Sequence, residues 1–206
     1  MPPATQAALS RFVETHLLVA CISGRAGPDA GRLVGVEGIR YVGNHGLELH
    51  GDADAIREEI AAFRRSVEQR WPVEDKGLSL SLHFREAADE AAALTVLEQI
   101  AGEASASGLD PRWGRKVLEV RPRVNADKGT AVSELLASSR ASRALYAGDD
   151  MTDLDAFRAL DSAALDLAIT VAVDSPEAPA ALLEAASLVV AGPAELAAAL
   201  VALSAD

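Results

Sequence analysis

The sequence predicts an α/β fold: a core made from the two ends of the chain, residues 1–48 and 123–206, interrupted by an α+β insert over residues 49–122. Three observations lead there. The final third alternates short, unbroken apolar segments (Ala144 to Ala147, Leu167 to Val173, Leu188 to Val190) with helical stretches at 128–138, 150–160, 178–186 and 193–204. That alternation describes a parallel sheet covered on both faces. Near the start, Leu17 to Ile22 (LLVACI) is another such run, ending abruptly at Ser23-Gly24-Arg25, and reads as a strand buried on both faces. Between these regions the period changes. Leu78, Leu80, Leu82 and Phe84 alternate with Ser79, Ser81, His83 and Arg85, the pattern of a one-sided strand in an open antiparallel sheet.

The other elements follow from the same periodicities. Residues 4–15 form an Ala-rich helical stretch, and Arg40 to Val42 a second core strand that runs into Gly43-Asn44-His45-Gly46. In the insert, Ile56, Ile60, Phe63 and Val67 share one face of a helix over 53–70. A second helix spans 87–106, and Lys116 to Val120 alternates again before Arg121-Pro122.

Composition excludes several functions. The chain has 206 residues, 50% hydrophobic, with a net charge of −12. It is long enough to bury a core, and with only 4% aromatics that core rests on Ala, Leu and Val. A surface this acidic repels phosphate backbones and anionic lipid, so neither nucleic acid nor membrane is an expected partner. No apolar run approaches the roughly 20 residues that span a bilayer. The first residues (MPPATQAALSRFVE) lack a signal peptide's basic flank and apolar stretch. The single cysteine, Cys21, has no internal disulfide partner, and its apolar neighbours predict a buried thiol in a reducing, cytoplasmic compartment. Oligomeric state is not encoded in any feature of the sequence.

Three short motifs carry the chemistry. The first is Tyr146-Ala147-Gly148-Asp149-Asp150-Met151-Thr152-Asp153, where a strand ends in Gly and three carboxylates crowd the next helix start. Ligands collect at the carboxyl ends of parallel strands. Three carboxylates so close are costly to hold together without a cation, and hard oxygen ligands suit Mg²⁺. Helix capping by Asp150 and Asp153 accounts for part of the cluster, but not for Asp149. The second motif is Ser23-Gly24-Arg25, whose hydroxyl, flexible Gly and guanidinium can together hold a phosphoryl group. The third is Asp127-Lys128-Gly129. A lysine opening a helix opposes the dipole, so Lys128 needs another purpose, such as neutralising a phosphate or a carboxylate.

In this order the three pieces resemble the second, third and fourth motifs of the haloacid dehalogenase superfamily of phosphohydrolases. Gly43-Asn44-His45-Gly46-Leu47-Glu48 resembles the Gly-x-His-Gly-x-Glu signature of trehalose-6-phosphate phosphatases. Leu82-His83-Phe84-Arg85 and Arg115 to Pro122 resemble cap segments of the same family. The resemblance implies a Rossmann-like haloacid dehalogenase core with an inserted α+β cap. It also implies a Mg²⁺-dependent phosphatase of trehalose biosynthesis that hydrolyses a small sugar phosphate. By motif match, Ser23 binds the phosphoryl group, Lys128 balances charge, Asp149 ligates Mg²⁺, and Asp150 and Asp153 orient the site. Arg25, Asn44 and His45 line it, and Arg85, Lys116 and Glu119 reach sugar hydroxyls from the cap.

One family element has no counterpart in the sequence. The Asp-x-Asp-Gly-Thr segment of the first core strand, which supplies the nucleophile and the general acid and base, is absent from these residues. Asp52-Ala53-Asp54 has the spacing but opens a charged helix after no buried strand, and Asp153-Leu154-Asp155 lies within the last motif's helix. The expectation is therefore a core lacking its first strand in a truncated, poorly active chain, with a gap of roughly 10 Å, two strand spacings, between the strands ending at Ser23 and Gly148. Either those edges close up, or another chain fills the gap, or the fold is damaged. Other functional readings are a phosphatase of sucrose phosphate or mannosyl-phosphoglycerate, and a non-catalytic sugar-phosphate binder.

Overall fold

The computed structural model describes residues 1–205. The chain divides into two compact units, Met1–Leu49 joined with the chain from Ala126 onward, and His50–Asn125.

In the first unit, helix α1 (Pro3–Thr15) leads to β1 (Ala20–Ile22), α2 (Gly27–Val34) and β2 (Arg40–Val42), and the chain then turns through the short 3₁₀ segment Asn44–Leu49. After the second unit come α5 (Lys128–Ser139), β7 (Arg143–Gly148), α6 (Asp153–Ser162), β8 (Leu167–Val173), α7 (Ala180–Ala185), β9 (Leu188–Val190) and α8 (Pro193–Leu203). Every pairing among these strands is parallel, but they form two separate pieces of sheet, β1-β2 and β7-β8-β9.

Helix α5 joins the two pieces. Its Ala131 and Leu135 pack on Val42, and its Val132 packs on Ala156 and Leu160 of α6, while Ile22 lies against both clusters. A capping box starts this helix: Asp127 accepts the Thr130 N–H at 2.7 Å, and the Thr130 hydroxyl accepts the Asp127 N–H at 2.9 Å. Below β7 and β8, Phe157 is fully buried with Leu154, Ala172 and Leu182, and Tyr146 meets its ring edge-on.

The second unit holds an antiparallel sheet in the order β3-β4-β6-β5: β3 (Glu74–Asp75), β4 (Leu80–His83), β6 (Val117–Arg121) and β5 (Asp110–Gly114). Helices α3 (Ala53–Val67) and α4 (Glu90–Ala106) bring the buried stripes Ile56, Ile60, Phe63, Val67 and Leu97, Ile100, Ala104. Leu80, Leu82, Leu118 and Val120 complete this core. No helix of the described residues is long and apolar enough to cross a membrane.

Four sequence expectations need correction. LLVACI is not a strand buried on both faces: only Ala20–Ile22 pairs, and Leu17 is 79% exposed, because one edge of this strand has no neighbour. Cys21 is accordingly half-buried, although enough of it is enclosed to push the thiol pKa up against the lowering effect of Lys128. The helix expected over 150–160 starts at Asp153, after a turn held by Asp150. Ser79 and Ser81 are buried rather than on an open polar face. The Ser81 hydroxyl lies 3.5 Å from Glu119, itself paired with Lys76, so long charged side chains close over the small ones.

The Asp127 cap is expected to be worth about 1 kcal/mol. Asp127→Ala is therefore expected to lower the thermal midpoint measurably, whereas Asp54→Ala, which removes only an exposed pair with Arg57, should leave it nearly unchanged.

Candidate active site

Glu48 ties the loops after β1 and β2 together. Its carboxylate accepts the Gly27 N–H at 2.8 Å on one oxygen and the Gly43 N–H at 2.9 Å on the other. The Ser23 carbonyl accepts the His45 N–H and the Arg25 carbonyl accepts the Asn44 N–H, each at 2.9 Å. Asn44 and His45 hold positive φ angles of 52° and 55°, so the backbone here is bent to fit. The His45 ring covers Gly24, where a Cβ would come within 2.6 Å of Nε2. Asn44 is buried, Arg25 is exposed, and the Ser23 hydroxyl accepts the Arg25 N–H at 3.1 Å.

This loop pair abuts the start of α5. A Cβ on Gly46, which has φ of 105°, would approach the Asp127 carbonyl to 2.7 Å, so only glycine fits there. The next residue, Lys128, turns inward. Its side chain is 7% exposed and its Nζ donates to Asp153 Oδ1 at 2.7 Å, with Asp150 Oδ2 at 3.5 Å. The three motifs thus meet in one unbroken run of contacts, from Ser23 through His45 and Gly46 to Asp127, Lys128 and Asp153.

Asp153 satisfies four donors at once. Besides Lys128, Oδ1 accepts the Tyr146 hydroxyl at 2.7 Å, and Oδ2 accepts the N–H groups of Asp149 and Asp150, each at 3.0 Å. Burial, with the nearby Asp153 charge and this hydrogen bond, drives the Tyr146 pKa far upward, so the phenol remains a donor. Asp150 takes the Thr152 and Asp153 N–H groups on Oδ1 and bonds the Thr152 hydroxyl. Burial would raise its pKa, but the Thr152 hydrogen bonds and the Lys128 charge outweigh burial and lower it.

This geometry overturns the argument that three crowded carboxylates need a metal. Lys128 and backbone N–H groups already compensate Asp153 and Asp150. The Asp149 side chain is exposed and has no hydrogen-bond or ion-pair partner among the described residues. No group of three His, Cys, Asp or Glu side chains suited to a metal occurs among the described residues either. One available carboxylate still fits Mg²⁺, which commonly keeps several waters and binds through one or two carboxylates plus substrate phosphate.

Within the second unit, Arg85 is exposed. Lys116 pairs with Glu90 and lies 5.7 Å from the Phe84 ring centre, while Glu119 accepts from Lys76 at 3.2 Å. Lys116 and Glu119 therefore engage different partners. Two residues that sequence reasoning gave no role prove central: Glu48, visible only as the last letter of a motif, and Tyr146, which reads as a core strand residue until its hydroxyl is traced.

Asp153→Asn removes the counter-charge of a buried ammonium and is expected to cost about 3–5 kcal/mol of stability. Tyr146→Phe removes one hydrogen bond to a charged acceptor, about 1.5–3 kcal/mol. Urea unfolding followed by a probe in the first unit checks the order, and a larger loss for Tyr146→Phe would contradict it.

A family model described as trehalose-phosphatase matches residues 5–181. A trehalose-phosphate phosphatase of Mycobacterium marinum is 33% identical over 202 residues, covering 88% of this chain and 51% of the relative. A probable trehalose-phosphate phosphatase of Oryza sativa subsp. japonica is also 33% identical, over 195 residues, covering 73% of this chain and 51% of the relative. The chain thus spans about half the length of these relatives. Among solved structures, a trehalose-6-phosphate phosphatase related protein matches with a TM-score of 0.73 at 21% identity, covering 100% of this chain and 88% of that one. The Aspergillus fumigatus trehalose-6-phosphate phosphatase matches with a TM-score of 0.61 at 22% identity, covering 99% and 84%. These likenesses show a shared α/β fold. With the family model matching most of its length, the chain belongs to the trehalose-phosphatase family.

Proposed function

We propose that the first unit is the phosphoryl-binding part of a Mg²⁺-dependent phosphatase site for trehalose 6-phosphate, and that this chain alone binds that substrate but turns it over poorly. The observation that carries the reading is Lys128, a buried ammonium fixed by Asp153 at the meeting point of the three motif loops.

In this proposal the Ser23 hydroxyl donates to a phosphoryl oxygen, and Lys128 offsets the phosphoryl charge while Asp153 holds its position. Asp150 keeps the turn before α6 in shape, so that Asp149 faces the phosphate. Arg25, Asn44 and His45 border the anion. Asp149 would hold Mg²⁺, which would supply charge neutralisation at the phosphoryl oxygens. Sugar recognition by Arg85, Lys116 and Glu119 draws on motif resemblance alone, and Lys116 and Glu119 would have to exchange Glu90 and Lys76 for hydroxyls. The site is suited to a reducing, cytoplasmic setting, since Cys21 is a free thiol.

The poor turnover follows from a chemical deficit. Phosphoryl transfer in this family needs an Asp nucleophile and an Asp acid/base in an Asp-x-Asp-Gly-Thr segment, and these residues contain none. Loss of a nucleophile from a catalytic unit costs on the order of 10⁶ in rate.

Calorimetry with trehalose 6-phosphate and Mg²⁺, beside a phosphate-release assay, tests both parts. The expected result is saturable binding without release above background, tighter than for sucrose phosphate or mannosyl-phosphoglycerate. Sustained multiple turnover would refute the second part, and no binding would refute the first. Asp149→Asn is expected to abolish the Mg²⁺ dependence of binding while leaving the melting temperature unchanged. Ser23→Ala should weaken binding roughly tenfold, the loss of one hydrogen bond to a charged acceptor.

A further inference from the structure

Lys128 does not have Asp153 to itself. The Tyr146 hydroxyl and the Lys128 Nζ both donate to Asp153 Oδ1, each at 2.7 Å, while Oδ2 takes the Asp149 and Asp150 N–H groups at 3.0 Å. The second carboxylate facing the ammonium is loaded in the same way. Asp150 Oδ1 accepts from the Thr152 N–H, the Thr152 hydroxyl and the Asp153 N–H, and its Oδ2 reaches Lys128 only at 3.5 Å. Both partners of the lysine are thus carboxylates whose charge other donors already draw on.

Of these donors, the Tyr146 hydroxyl is the one that local structure does not require. The backbone N–H groups shape the turn before α6, and the Thr152 contacts lie inside that turn. The Tyr146 ring packs on the clusters around Phe157 and Leu160, contacts that a phenylalanine ring would make equally well. A buried phenol must find an acceptor, and this one takes the very oxygen that Lys128 uses. Burial and the Asp153 charge raise its pKa, so the hydroxyl keeps its proton and is no acid or base for a substrate. With that proton directed at Asp153, it is not offered to a phosphoryl oxygen either.

Two donors on one oxygen compete for the same electron density. A carboxylate oxygen that also accepts from a phenol attracts a neighbouring ammonium less than a bare one does, and in a buried site water does little to screen the difference. Lys128 Nζ carries three N–H donors. Asp153 takes one, the Asp150 contact is at the limit of hydrogen bonding, and no third acceptor occurs among the described residues. We propose that Tyr146 is a positioning residue for phosphoryl binding: by sharing Asp153 Oδ1, its hydroxyl keeps the Lys128–Asp153 pair from closing on itself and leaves the ammonium's charge for an incoming dianion. This deepens, and rests on, the reading of Lys128 as the cation that offsets the phosphoryl charge. Tyr146 acts through Asp153 and does not touch the ligand.

The test is calorimetry of the whole chain with inorganic phosphate and Mg²⁺, beside the nitrogen resonance of Lys128 Nζ. Tyr146→Phe keeps the ring and removes the hydroxyl. It is expected to weaken phosphate binding about fivefold, within the range for residues coupled through one hydrogen-bond network. A ring-fluorinated tyrosine makes the hydroxyl a stronger donor without removing it, and should tighten phosphate binding about twofold. The chain has two tyrosines, so fluorotyrosine supplied to Tyr41→Phe labels position 146 alone, with unfluorinated Tyr41→Phe as its reference. The Tyr41 hydroxyl bonds the Val36 carbonyl and takes no part in the Lys128 network.

The opposite signs separate positioning from stability. A hydroxyl that only holds the fold together would lower the melting temperature of Tyr146→Phe, leave the phosphate affinity of the folded protein unchanged, and give the fluorinated chain no gain. That pattern would overturn the inference, as would tighter phosphate binding by Tyr146→Phe. If Tyr146→Phe does not fold, the fluorinated chain decides alone, and unchanged or weaker binding overturns the inference. Failure of the underlying reading has a different signature: the wild type would bind no phosphate, or would bind it without moving the Lys128 Nζ resonance, and both would then fall.

Discussion

A buried ammonium must be matched, and in this protein the match between Lys128 and Asp153 decides the arrangement of everything near it. The lysine is placed at the first turn of α5, where the helix dipole disfavours it, so the attraction to Asp153 must more than offset that penalty. Asp153 in turn sets the start of α6 and the turn after β7 by accepting two backbone N–H groups and the Tyr146 hydroxyl. One carboxylate thereby fixes a strand end, a helix start and a cation. Asp149 is left as the carboxylate with nothing to satisfy inside the fold, which is what a ligand to an exogenous ion or phosphate needs.

On the other side of the same site, the constraint is geometric. Glu48 holds the loops after β1 and β2 through two backbone N–H groups, and Gly46 lets that assembly touch the Asp127 carbonyl. The loop that carries Ser23 and the loop that carries His45 are therefore one rigid piece resting on α5. The sheet beneath is not continuous, yet the site is held, because α5 packs on both sheet pieces and bridges what the strands do not. Helix packing, rather than a β ladder, transmits position between the two pieces.

Much of this was legible. Leu167 to Val173 and Leu188 to Val190 became strands with those same limits, although the edge strand leaves Leu188 and Val189 exposed rather than covered on both faces. Lys128 at a helix start signalled a need for an anion, and Asp153 is that anion. Other features left no periodic trace. Helix α2 contains Gly27, Pro28 and Gly31, which leave little helical pattern to recognise; β5 contains Pro111, tolerated because β5 is at the edge of its sheet. The exposure of Leu17 could not be inferred from an apolar run, because burial depends on a neighbouring strand and not on the run itself. The crowding of Asp149, Asp150 and Asp153 pointed to a metal, because a sequence does not show that a lysine 25 residues away neutralises the last of them.

The most direct test of the account is a crystal structure of the chain grown with Mg²⁺ and inorganic phosphate. The account predicts the anion within hydrogen-bond reach of both Ser23 Oγ and Lys128 Nζ, with the Lys128–Asp153 pair intact and the Asp149 carboxylate directed at the ion. An anion bound elsewhere, or a Lys128 side chain turned out to solvent with Asp153 left unpaired, would contradict it.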